Sequence, residues 1–208
     1  MTSTDTPRRG AEKRQAVLEG ALTVFARDGY TRAGIDTIAK EAGVSTRTIY
    51  NHFTDKARLF EDVILYSANR VAEAQLAILE RHLRKVTDIE QDLIDFGLEW
   101  HRRDPAQDRH FALIRHLNAD VDHIPPPAIE AWQEAGPLRV FRAFADWLAG
   151  LADRGLLRVP DPERAALHLT QLTSPQSPSF RARQPTDAEI TESVRAGVHA
   201  FLHGYGAN

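Results

Sequence analysis

The chain has 208 residues, carries a net charge of −3 and is 42% apolar, enough for one large domain or two small ones with a real core. It has no cysteine, which excludes a disulfide framework and a thiolate site. It also has no run approaching the ~18 apolar residues that a membrane span needs and no N-terminal apolar stretch that could be a signal peptide, so a cytoplasmic protein is expected.

Charge is unevenly spread. Residues 1–60 hold ten Lys or Arg against seven Asp or Glu, a net of +3, and the remainder carries −6. A basic head on an acidic body suits a protein that touches phosphates at one end. Twelve Gly and eleven Pro fall mostly between apolar-periodic segments and strand alternation is nearly absent, so the expected fold class is all-α.

Residues 1–9 read as a flexible basic arm leading to Arg8, Arg9, Lys13 and Arg14, cations of the kind that reach a phosphate backbone or a minor groove. A first helix is expected over 10–28 with Val17, Leu18, Ala21, Leu22 and Phe25 as its buried stripe. Gly29 ends it and Tyr30 folds back as the apolar contact of the cap. The stretch 37–56, TIAKEAGVSTRTIYNHFTDK, reads as two short helices around a tight turn. Ile38, Ala39 and Ala42 share one face, Gly43 supplies a positive φ, and Val44 tucks the turn inward. Ser45 caps the second helix. Ile49 and Phe53 face inward together, which leaves Thr46, Arg47, Thr48, Tyr50 and Asn51 pointing out. So short a helix is not stable alone; a helix-turn-helix docked in a DNA major groove accounts for both its support and its polar face.

A long helix then starts after Thr54 or Asp55 and runs to about Leu83. Further helices are expected near 87–103, 106–119, 128–135, 137–154, 161–173 and 187–205, separated by Asp104-Pro105, the prolines at 125–127, Gly136-Pro137, Gly155, Asp161-Pro162 and a loop over 173–186.

The ordered series Ala21, Phe25, Gly29-Tyr30, Thr37-Ile38-Ala39, Ala42-Gly43-Val44-Ser45, Tyr50-x-His52-Phe53-x-x-Lys56 and Leu59 closely resembles the N-terminal domain of TetR-family transcriptional regulators over roughly residues 10–62. One departure is Ala33-Gly34-Ile35, where such proteins often place Ser or Thr; Gly34 caps only weakly. The resemblance implies a helix-turn-helix DNA-binding domain over 10–56 and a helical ligand-binding and dimerisation domain over 57–208. It also implies a homodimeric repressor, released from a palindromic double-stranded operator by a small-molecule effector. By the same resemblance Thr46, Arg47, Thr48 and Asn51 face the groove, while Tyr50, His52 and Lys56 contact phosphates. The chemistry agrees: Arg47 can pair bidentately with guanine, Asn51 with adenine, and a Tyr hydroxyl and a Lys ammonium suit phosphate oxygens.

The resemblance places an effector cavity among helices over 87–154, lined by Phe96, Trp100, Phe111, Trp132 and Phe144 with His101 and His116 as polar handles. Pairing of subunits is expected through the last two helices, along Leu169, Leu172, Val194, Val198, Phe201 and Leu202. His199 and His203 are four apart, a spacing compatible with a metal, but no third ligand adjoins them in sequence, and a cation near a helix C-terminus is favoured by the dipole. Asp120, Asp122 and His123 precede a proline-rich turn. Neither group is expected to hold a metal, and no cofactor is expected. No phosphate loop, GxSxG elbow or supported carboxylate pair is present, and Ser174 and Ser177 have no base beside them, so no enzyme is expected. The competing readings are a small-molecule carrier with a vestigial head, which the intact polar face at 46–51 disfavours, and an all-helical enzyme.

Overall fold

The computed structural model describes residues 5–119, 124, 126–175 and 183–207, with the backbone alone at 5–7. Among these residues the fold is helical: α1 (Asp5–Arg32), α2 (Ile35–Glu41), α3 (Thr46–His52), α4 (Lys56–Leu83), α5 (Ile89–His101), α6 (Asp108–Ala119), α7 (Pro126–Ala135), α8 (Pro137–Asp153), α9 (Pro162–Leu172) and α10 (Asp187–Tyr205). A 3-10 turn over Pro105–Gln107 leads into α6. Among the described residues there is no strand, only an isolated bridge between Leu157 and Gly206.

The helix ends follow the local chemistry. α1 breaks at Gly29 (φ 75°), and the Tyr30 ring returns onto Phe25 and Phe60, with centroids 6.3 and 4.7 Å away. The carboxylates of Asp55, Asp88 and Asp161 accept backbone N–H groups at the starts of α4, α5 and α9. Thr186 and Glu189 form a reciprocal capping box on α10, satisfying N–H groups that a helix start leaves without partners. One boundary differs from expectation. α1 begins at Asp5, so Arg8 and Arg9 are helical; Pro7 is tolerated there because a first turn does not need its N–H. Residues 1–4 of the expected arm lie outside the described residues, as do Asp120, Asp122, His123 and Ser177.

The chain forms two compact units that do not follow its order: 1–71 with 104–137, and 72–103 with 138–208. In the first, Leu18, Phe25, Ile38, Ile49, Phe53, Leu59 and Phe60 share one core with Leu113 and Leu117 of α6 and Ala128 of α7. The head expected over 10–56 therefore shares its core with the first part of α4 and with α6, which packs directly on α1.

In the second unit Leu83, Leu93, Phe96, Phe144, Leu148 and Leu151 form a core with α9 and α10. At the crossing of these two helices, a Cβ on Gly197 would stand 2.3 Å from the Leu172 carbonyl oxygen, so only glycine fits. This core corrects the expected pairing stripe. Leu169, Val194, Val198 and Phe201 are no more than 2% exposed within the single chain, because α10 lies against α5 and α9 of its own unit. Leu202 is half-buried against the same core. Of the six, Leu172 is the one that is largely exposed, at 44%, and Leu167 beside it on α9 is 48% exposed.

The first core contains a buried polar pair. His110 Nδ1 lies 2.8 Å from Ser67 Oγ, and burial pushes His110 down from 6.5 to about 4. In the unfolded chain this histidine takes up a proton near pH 6.5, whereas the native one stays neutral until about pH 4. Stability must therefore fall as pH drops through that window and be regained above it. The expected loss by pH 5 is about 2 kcal/mol. Thermal unfolding of wild type and His110→Gln between pH 7 and 5 checks this, since the wild-type profile should be steeper by that amount.

Candidate nucleic-acid interface

The turn between α2 and α3 sets the candidate interface. Gly34 at the start of α2 makes no side-chain cap, as the weak-capping departure implies. Gly43 has φ 64°, a left-handed conformation that any side chain would strain, and it lets Val44 pack against the core. The Ser45 hydroxyl accepts the Thr48 N–H at 3.1 Å and lies 2.9 Å from the Thr48 hydroxyl, so the first turn of α3 is held by its own cap. Ile49, at 1% exposure, and Phe53, at 2%, anchor one side of α3.

The opposite side is open. Arg47, Tyr50 and Asn51 are exposed, and Thr46, Thr48 and His52 are half-exposed. Tyr50 is 55% exposed, whereas the Phe53 ring that caps the helix is buried. All six expected residues on α3 thus lie on or beside one solvent-facing surface carrying hydroxyl, guanidinium, amide and imidazole groups, a set able to read base edges and hold phosphates.

Lys56, at the start of α4, is half-buried. Its ammonium donates to the Thr31 carbonyl at 3.2 Å and stands 4.7 Å from the centre of the Tyr30 ring; burial lowers its pKa. It has an internal partner and retains two further N–H donors. Arg14 is likewise engaged, 2.6 Å from Asp62 and over the ring of Phe53.

A polar cluster outside the motif ties α1 to α4 and α6. Glu19 of α1 accepts the Tyr66 hydroxyl of α4, and it accepts Arg70 Nη1 of the same helix at 2.5 Å. Arg109 of α6 approaches Glu19 at 3.4 Å and donates to the Thr23 hydroxyl at 3.0 Å, and Gln15 donates to Tyr66 Oη at 2.5 Å. These partners are 47 to 90 residues apart in pairs, so no local pattern announces them.

The residues expected around an effector separate. Phe96, Trp100 and Phe144 come together in the second unit, with centroids 5.2 to 6.5 Å apart. There His101 Nε2 lies 3.2 Å from Thr173 Oγ1. That hydroxyl donates to the Leu169 carbonyl at 2.8 Å, so it accepts from His101, and burial lowers the His101 pKa. Phe111, His116 and Trp132 belong to the first unit. Phe111 is 47% exposed, His116 packs at Gly29, and among the described residues the buried indole N–H of Trp132 has no hydrogen-bond partner. Among the described residues no three His, Asp or Glu side chains gather as a metal set, and no helix is long and apolar enough to cross a membrane.

Residues 17–63 match the family model described as bacterial regulatory proteins, tetR family. Residues 93–207, more than half of the chain, match the C-terminal domain of AefR-like transcriptional repressors. The chain is similar to the HTH-type transcriptional regulator AcrR of Shigella flexneri, 37% identical over 71 residues, which are 34% of this chain and 33% of that protein. Across the first curated relatives the matched stretch spans between about a third and two thirds of the relative's length. Among solved structures, that of a TetR-family regulator from Mesorhizobium loti superposes with a TM-score of 0.83 at 28% identity, covering 95% of this chain and 98% of that one. The flavonoid-responsive regulator FrrA superposes with a TM-score of 0.68 at 25% identity, covering 94% and 98%.

Proposed function

Because the chain belongs to the TetR family of bacterial transcriptional regulators, we propose that it acts as a homodimeric repressor that binds a palindromic operator and is released by a small-molecule effector. The observation that carries the reading is the polar face of α3, held outward by the burial of Ile49 and Phe53. Residues 10–56 serve as the DNA-binding domain and 57–208 as the effector and dimerisation domain. Thr46, Arg47, Thr48 and Asn51 read bases, and Tyr50, His52 and Lys56 hold phosphates. Effector binding is assigned to the aromatic group Phe96, Trp100 and Phe144 with His101 beside it. FrrA is a flavonoid-responsive regulator, and a planar aromatic effector suits rings such as these.

Arg47→Ala is expected to weaken binding to an operator selected in vitro by about 1–3 kcal/mol and to relax base preference at one position in each half-site. Unchanged affinity with the fold intact would remove Arg47 from base reading.

Lys56→Ala is expected to weaken all DNA sequences alike and to lower the slope of log affinity against log salt by about one. A slope that does not change assigns Lys56 to its bond with Thr31 and its contact with Tyr30 alone.

Dimerisation is proposed through the outer faces of α9 and α10, where Leu167 and Leu172 on the one helix and Ala196 and Ala200 on the other stand exposed. Two-fold pairing there forms a four-helix bundle and carries two heads to the two half-sites. Leu167→Glu with Leu172→Glu is expected to give folded monomers that bind the operator weakly, read by sedimentation at micromolar concentration. Wild type that sediments as a monomer and still binds tightly overturns this assembly.

A further inference from the structure

We propose that Arg14 and Asp62 are positioning residues for DNA recognition: their ion pair closes over Phe53 and fixes the attitude of α3, so that it sets specific rather than total affinity for DNA. The proposal rests on the DNA-binding reading of α3 given above.

The geometry is a chain of contacts across three helices. Asp62 of α4 has a side chain only 12% exposed, and each of its oxygens meets a guanidinium. Oδ2 lies 2.6 Å from Arg14 Nη2, and Oδ1 lies 3.0 Å from Arg58 Nη2. Arg14 comes from α1 and its Cζ stands 5.3 Å from the centre of the Phe53 ring. Phe53 is the residue that ends α3; its N–H donates to the Ile49 carbonyl at 2.9 Å, and its ring is buried. α3 is seven residues long and its far end is held by the Ser45 cap. The near end is held by the Phe53 ring, and the guanidinium forms the outer wall of that ring's seat.

Arginine fits this task for a chemical reason. Its planar fork can donate in plane to a carboxylate while its face lies on an aromatic ring, which a lysine ammonium cannot do in the same way. The Arg14 side chain is 45% exposed, and Asp62 keeps Arg58 as a partner when Arg14 is replaced, so loss of the pair leaves the fold standing. The tolerance of a recognition surface is much tighter, about 0.5 Å for groups that must meet their targets. A small shift of α3 therefore costs base contacts before it costs stability. Arg14 is also one of four cations, with Arg8, Arg9 and Lys13, of the kind that reach a phosphate, and the two roles make opposite predictions.

The experiment uses the full-length protein, a duplex enriched by wild type from a random library, and a scrambled duplex of the same composition, with affinities measured across a salt series. Arg14→Gln and Asp62→Asn are each expected to weaken the selected duplex about tenfold, with the scrambled duplex and the salt slope unchanged. The double variant should be no worse than either single one, because both remove the same support. Arg14→Lys is the second variant: it retains a charge for a phosphate but loses the fork, and it too should lose discrimination. The proposal is overturned if Arg14→Gln weakens both duplexes together and lowers the slope by about 0.9. It is equally overturned if Asp62→Asn leaves operator affinity unchanged or raises it, or if Arg14→Lys discriminates as wild type does. Wild type that enriches no duplex overturns the DNA-binding reading and this proposal with it. Wild type that binds while the variants match it overturns the pair alone.

Discussion

The proposed recognition surface depends on two side chains staying inside the first core. Helices shorter than about 12–15 residues are marginal in water even with favourable sequences, and α3 has seven residues. Burying Ile49 and Phe53 contributes about 1.5–3 kcal/mol each, and the Ser45 cap adds about 1 kcal/mol. The polar face gives nothing to folding and is left free for a partner. That asymmetry, apolar anchors inside and hydrogen-bonding groups outside, is what makes a short helix usable as a reading head.

Much of this was legible in the sequence because it is local. Gly29 and Gly43 announced left-handed turns, and both have positive φ. Ser45 and Asp161 announced helix starts, and both accept the expected N–H groups. The interior of α3 followed from two apolar residues four apart. The periodic stripes on α9 and α10 were equally visible, but periodicity says only that a face is buried and not what buries it. Val194, Val198, Leu169 and Phe201 point into their own unit, which no one-dimensional pattern distinguishes from a subunit contact. The link of α6 to the head was hidden for the same reason: Leu113 and Leu117 read as an ordinary amphipathic helix, and nothing in their spacing names α1 as the surface they cover.

Long-range polar pairs were the least legible. Arg14 with Asp62, and Glu19 with Tyr66, Arg70 and Arg109, join positions roughly fifty or ninety residues apart. In sequence each cation looks like a solvated charge or a phosphate ligand. In the fold they tie α1 to α4 and α6 at the half-exposed margin of a core that is otherwise apolar. Bonds in such places are worth little each in stability, but they are directional where apolar contacts are not. Apolar burial holds the first unit together, and the charged rim fixes how its helices are turned.

The proposed release by an effector carries a numerical demand. Moving a regulator from 99% to 1% operator-competent takes a preference of roughly 10⁴ for the released state, about 5.5 kcal/mol. A dimer with one effector per subunit divides this into about 100-fold each, near 2.7 kcal/mol. At about 25 cal/mol per Å², that equals close to 100 Å² of apolar surface buried in one state and not in the other. One face of a small aromatic molecule supplies that area. His101, its pKa lowered by burial, gives its Nε2–H to Thr173. Within that proposal an uncharged aromatic effector loses less to desolvation there than a carboxylate would.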